Sequence, residues 1–170
     1  MKRHVVLVGL PGSGKTTVGR RAAELLRTAF TDIDQVVVSA AGIPVAELFL
    51  AQGEPQFRRL ERAAMDGAMD APPHVVAPGA GWAAEPGNLE ATGAALLIYL
   101  RISPAAAAER LRGDMSRPLL SGEDPEHRIR DLLVKRETWY RRAGAEVEAG
   151  VPVEDVAGAV ARLARERAGW

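Results

Sequence analysis

The stretch GLPGSGKTT, residues 9–17, completes the pattern GxxxxGK[ST] with Gly9, Gly14, Lys15 and Thr16. It follows a short apolar run, His4–Val8, and leads into an amphipathic stretch, so the order is strand, glycine loop, helix. Glycines let the backbone come close to a phosphate, and successive N–H groups at a helix N-terminus point at it. Gly12, Ser13, Gly14, Lys15, Thr16 and Thr17 are therefore the expected nucleotide-phosphate residues. The chain holds three lysines against nineteen arginines, and one of the three is Lys15. A flexible ammonium reaches the terminal phosphates as a point charge, which a planar guanidinium does less well. Thr16 offers a hydroxyl to magnesium. A chance match in a glycine-rich chain is the bland alternative, and the flanking strand and helix argue against it.

The chain around this loop is 170 residues long, which suits one domain over 1–170. Lys plus Arg and Asp plus Glu balance at 22 each. A nucleic-acid or membrane-surface partner usually shows as a basic excess, so neither is expected. Cysteine is absent, which excludes disulfides, zinc–thiolate sites and thiol catalysis. No stretch approaches the roughly 20 apolar residues of a membrane helix. The N-terminal apolar run is too short for a signal peptide and flows straight into the loop. A soluble, cytoplasmic protein is expected.

Three segments read as buried parallel strands: His4–Val8, His74–Ala77 and Ala95–Leu100. Weaker strands are expected around Ala29–Thr31 and Glu146–Glu148. Helices are expected over Lys15–Thr28, Pro44–Gln52, Pro55–Asp70, from Pro104 to about Arg112, from Pro125 to about Arg142, and from about Val153 to Arg167. The polar stretch 113–123 between two strong helices reads as a surface loop. Together these predict an α/β fold with a five-stranded parallel sheet flanked by helices.

A phosphate loop needs a second magnesium ligand, and the strands at Val75 and Leu97 end without an acid. FTDID, residues 30–34, supplies Asp32 and Asp34, which an extended segment places on one side. One can serve the metal while the other faces a substrate hydroxyl; helix capping before QVVVSAA is the alternative and can coexist. Two charges then fall where helices ask for apolar residues. Arg136 lies on the stripe Ile129, Leu132, Leu133, Tyr140, and Glu61 lies on the stripe Phe57, Leu60, Ala64, Ala68, with Arg58 three residues before it. Inward charges are costly unless paired. They form structural ion pairs, or they reach a cleft and grip an anion, for which arginine is suited. Gly79 and Gly81 follow the third strand, where a ligand or a plain turn accounts for them equally. Arg117 is a solvated loop charge or a stabiliser of a migrating phosphoryl group. No chemistry is assigned to His4, His74 or His127.

These pieces in this order resemble the shikimate kinase family over nearly the whole chain. Val18-Gly19-Arg20 continues its P-loop, Asp32 and Asp34 match its DxD, and Gly53, Glu54, Phe57, Arg58 and Glu61 match its GExxFRxxE. Arg117–Leu120 match its RPLL, and Arg136 and Tyr140 match its RxxxY. The resemblance implies a P-loop NTPase fold like that of nucleoside monophosphate kinases, with a lid at about 113–123 and a substrate segment at about 32–61. It implies a monomeric enzyme that uses ATP and magnesium to phosphorylate the 3-hydroxyl of shikimate, on the route to chorismate and the aromatic amino acids. Arg58 and Arg136 would hold the shikimate carboxylate. Asp34 would contact ring hydroxyls as the base, beside Gly79, Ala80 and Gly81. Asp32 and Thr16 would serve magnesium, Arg117 would lie over the phosphates, and Arg110 would lie against adenine. The chain departs from the family where a triple glycine becomes Gly79-Ala80-Gly81 and a small residue becomes Trp82. That departure motivates one alternative, a kinase for another small hydroxy acid such as gluconate; a nucleotide-binding paralogue without turnover is a second.

Overall fold

Val5-Val6-Leu7-Val8 presents no polar face, so this segment is stable only where both sides are covered. It forms β1 (Val5–Val8), buried throughout, at the centre of the sheet. The computed structural model describes residues 1–112 and 124–170. The expected lid and its Arg117 lie outside the described residues. β3 (Val75–Ala77) and β4 (Leu96–Arg101) pair parallel to β1 on its two sides, Val5 facing Val75 on one and Leu96 on the other. β2 (Phe30–Asp32) lies outside β3 and β5 (Ala145–Glu148) outside β4, giving the order β2-β3-β1-β4-β5, all parallel. Both edge strands are only partly buried, which is why their apolar signal was weak.

α1 (Lys15–Leu26) packs against α7 (Val153–Ala168), and α5 (Pro104–Leu111) against α6 (Pro125–Tyr140). α1 ends two residues before the expected Thr28, because Arg27 turns into the left-handed region and its N–H closes back on Ala23 and Glu24. The two helices expected over 44–52 and 55–70 form one bent element, α3 (Val45–Asp70). Its backbone leaves the helix at Gly53, and Pro55 fits just after the break as a helix-starting residue. The bend brings the Phe49 ring to 4.8 Å from Phe57.

Two further features differ from the sequence reading. The extended segment expected through Asp34 stops at Asp32, and α2 (Ile33–Ala41) begins at once. Asp32 caps it by accepting from the Gln35 N–H at 3.4 Å, so Asp34 sits in a helical first turn and not in extended chain. After β3, a short 3-10 turn (Trp82–Ala84) and α4 (Asn88–Ala91) follow. Trp82 is 1% exposed, and Asn88 Nδ2 donates to its carbonyl at 2.9 Å. The large ring faces the core. The carboxyl ends of β1, β2 and β3 carry the phosphate loop, Asp32 and Pro78–Gly81, and this is the end of an open α/β sheet where ligands bind.

Candidate active site

The phosphate loop joins β1 to α1. Gly14 starts the helix with φ 89, and no side chain caps it, so first-turn N–H groups face outward for a phosphate. Lys15 Nζ donates to the carbonyls of Gly9 at 2.8 Å and Leu10 at 3.0 Å, which holds the ammonium across the loop. Gly12, Gly14, Lys15, Thr16 and Thr17 line a cleft of about 230 Å³. Ser13 stands behind it, fully buried, with its N–H given to the Leu10 carbonyl. Arg110 reaches the same cleft from α5 and bridges the Gly12 carbonyl at 3.4 Å to that of Ala149 at 2.7 Å.

The Thr16 hydroxyl donates to Asp32 Oδ2 at 2.6 Å, so a hydroxyl and a carboxylate meet beside the loop. Magnesium takes one or two such ligands and completes its shell with phosphates and water, and this donor pair fits it. No cluster of three or more His, Cys, Asp or Glu side chains that could hold a metal occurs among the described residues.

Across the cleft from the loop stand Asp34, Gly79 and Ala80. Glu61 lies behind them, wholly buried. It takes Arg58 Nη1 at 2.7 Å and the Gly79 N–H at 3.1 Å. Burial raises its pKa, Arg58 opposes that rise, and the neighbouring Asp34 adds to it. Arg58 also meets Glu54 at 3.2 Å and, more loosely, Glu85 at 3.7 Å. Burial works against the charge of Arg58, yet Glu61 and Glu54 leave its pKa raised. A Cβ built on Gly81 would collide with Arg58 Nη2 and stand 3.1 Å from Arg136 Nη2. Two arginines from separate helices therefore converge over one glycine.

The sequence marked Arg58, Glu61 and Arg136 by their misplaced charge. It gave no sign that Glu61 also ties down Gly79, because that bond spans 18 residues and ends on a backbone N–H. Glu54, Glu85 and the Tyr140 hydroxyl were likewise assigned no contact. Tyr140 donates to the Ala80 carbonyl at 2.6 Å. A larger groove, about 650 Å³, runs beside β2 between α1 and α2. Of the expected site residues it holds only Asp32, so the convergence of charges, and not volume, locates the site.

The shikimate kinase family profile matches residues 11–159. The shikimate kinase of Mycobacterium avium is 41% identical over 143 residues, 84% of this chain and 81% of its own. That of Caldanaerobacter subterraneus is 40% identical over 162 residues, 94% and 95% of the two chains. Among solved structures, the Acinetobacter baumannii shikimate kinase in complex with shikimate superposes with a TM-score of 0.93 at 32% identity, over 98% of this chain and 94% of that one. A gluconokinase from Sinorhizobium meliloti superposes with a TM-score of 0.66 at 17% identity, over 99% of this chain and 94% of that one, a likeness of fold alone. With the phosphate loop, the DxD pair and both inward arginines in place, the chain belongs to the shikimate kinase family.

Proposed function

We propose that the protein transfers the γ-phosphoryl group of ATP to the 3-hydroxyl of shikimate. The observation that carries this is the meeting of Arg58 and Arg136 over Gly81, at the end of the turn whose Gly79 and Ala80 line the cleft of the phosphate loop. Arg58, paired with the buried Glu61, and Arg136 beside it can grip a carboxylate bidentately and fix the acid's ring. That grip leaves a ring hydroxyl to face Asp34. The hydroxyl oxygen attacks the γ-phosphorus in line, the bond to the bridging β–γ oxygen breaks, and the hydroxyl proton passes to Asp34. Lys15 and the first-turn N–H groups of α1 hold the phosphate charge, so the protein's contribution is positioning and electrostatics. Thr16 and Asp32 would hold magnesium, which when bound neutralises charge on the β- and γ-phosphates. Arg110 is assigned to the nucleotide side. Arg117, outside the described residues, is assigned by resemblance to the transferring phosphoryl group.

The balanced charge speaks against nucleic acid or a membrane surface as partner, and the resemblance supports a small-molecule substrate and a cytoplasmic monomer. No single helix among the described residues is long and apolar enough to cross a membrane. The test is incubation with ATP, magnesium and shikimate, with mass-spectrometric detection of shikimate 3-phosphate and gluconate as a parallel acceptor. Turnover with shikimate is expected. No turnover above background, or a preference for gluconate, overturns the proposal.

A further inference from the structure

The acceptor's place depends on the turn Gly79–Gly81, and its residues differ in how they are fixed. Gly79 is tied to Glu61 through its N–H. Ala80 is tied to α6, because its carbonyl accepts from the Tyr140 hydroxyl at 2.6 Å. Tyr140 is fully buried, and its ring lies 5.3 Å from that of Tyr99, at 27°. A buried hydroxyl without a partner is costly, so this bond is retained strongly. Arg136 stands one helical turn earlier, and its guanidinium lies beside the same hydroxyl. One oxygen thus sits between a cation of the carboxylate grip and the backbone of the turn.

We propose that Tyr140 is a positioning residue for the acceptor: its hydroxyl fastens the Ala80 carbonyl to α6 and so fixes the Gly79–Gly81 turn relative to Arg136. This rests on the reading that the protein phosphorylates shikimate, and wild-type turnover is measured first. If wild type does not turn over, the functional proposal falls; once it does, substitutions at Tyr140 and Tyr99 test the positioning role alone. Tyr140→Phe keeps the ring and its stack on Tyr99 and removes only the hydroxyl. Loss of one such bond is expected to raise the KM for shikimate about tenfold while the KM for ATP stays within about twofold. Tyr99→Phe removes the other buried hydroxyl of the stack, which has no hydrogen-bond partner among the described residues, and is expected to leave both KM values unchanged. The cycle with Arg136→Ala separates positioning from bulk stability, since Tyr140→Phe should weaken shikimate binding less when Arg136 is already gone. Calorimetric binding at low temperature, beside the turnover assay, keeps the comparison readable if Tyr140→Phe is less stable. An unchanged KM for shikimate, equal rises for both substrates, or the same loss with and without Arg136 overturns the proposal.

Discussion

A single Cβ separates two roles within the turn after β3. At Gly79 it would stand 2.5 Å from Glu61 Oε1 and 3.0 Å from Asp34 Oδ1. Glu61 has nowhere to retreat, because it is buried and holds both Arg58 and the Gly79 N–H. At Gly81 the obstacles are the tips of two long side chains, Arg58 and Arg136, which can swing aside. Gly79→Ala is therefore a folding lesion, expected to cost about 1–3 kcal/mol as overpacking does. Gly81→Ala should melt within a few degrees of wild type but part the two guanidiniums. Its KM for shikimate is expected to rise at least about tenfold, with the KM for ATP unchanged. Melting curves and steady-state kinetics on the two variants check this, and a large fall in the melting temperature of Gly81→Ala would count against it. The sequence left these glycines equally open to a ligand or to a plain turn. The protein groups that fill the space above them come from helices about twenty and fifty residues away, which no local pattern encodes.

The junction of β2 and α2 shows how one element boundary carries two duties. Asp32 ends the strand, caps the helix through the Gln35 N–H, and accepts from Thr16 on α1. Asparagine caps a helix as well as aspartate does, whereas alanine does not. Asp32→Asn should keep the cap but lose the charge proposed for magnesium. It is expected to melt close to wild type while needing roughly tenfold more magnesium for half-maximal rate. Asp32→Ala should show the same need and lose a further ~1 kcal/mol of stability. Titrating magnesium at fixed ATP decides it, and an unchanged requirement in Asp32→Asn removes Asp32 from the metal's shell. Elements elsewhere were readable to the extent that their signals are local. The Ser103-Pro104 and Asp124-Pro125 pairs marked the starts of α5 and α6, and each cap side chain accepts from the N–H three residues on. α2 was expected only through the capping alternative, because its valines, 36–38, suit a strand as well as a helix; the Asp32 cap and tertiary packing on α3 decide between them.

At the scale of the whole molecule, the sheet was legible because three of its strands are buried on both faces and read as continuous apolar runs, whereas the pairings that tie distant strands and loops together were not. At the end of the sheet away from the cleft, His4 lies just before β1 and His74 just before β3, their rings 5.0 Å apart and nearly perpendicular. Nothing in the sequence around either histidine announced this. The His74 N–H donates to His4 Nδ1 at 3.3 Å, a bond that a proton on that nitrogen would abolish. Burial first, and then the charge of His74, lower the pKa of His4 below its ordinary 6.5, against backbone hydrogen bonds that raise it. A histidine whose folded pKa lies below its unfolded value leaves the folded state binding fewer protons. Its stabilising share is whole above about pH 6.5 and is lost as pH falls through the folded value. Glu61 runs the other way, since a carboxyl whose pKa is raised on folding favours the folded state in acid and loses that share as pH rises. Comparing wild type with His4→Asn cancels Glu61, which is common to both, and asparagine's oxygen can still accept the His74 N–H. Urea midpoints measured at about pH 7.5 and 5.5 should fall on acidification in wild type by more than in His4→Asn. Equal falls in the two proteins would move the acid sensitivity away from the paired strand starts.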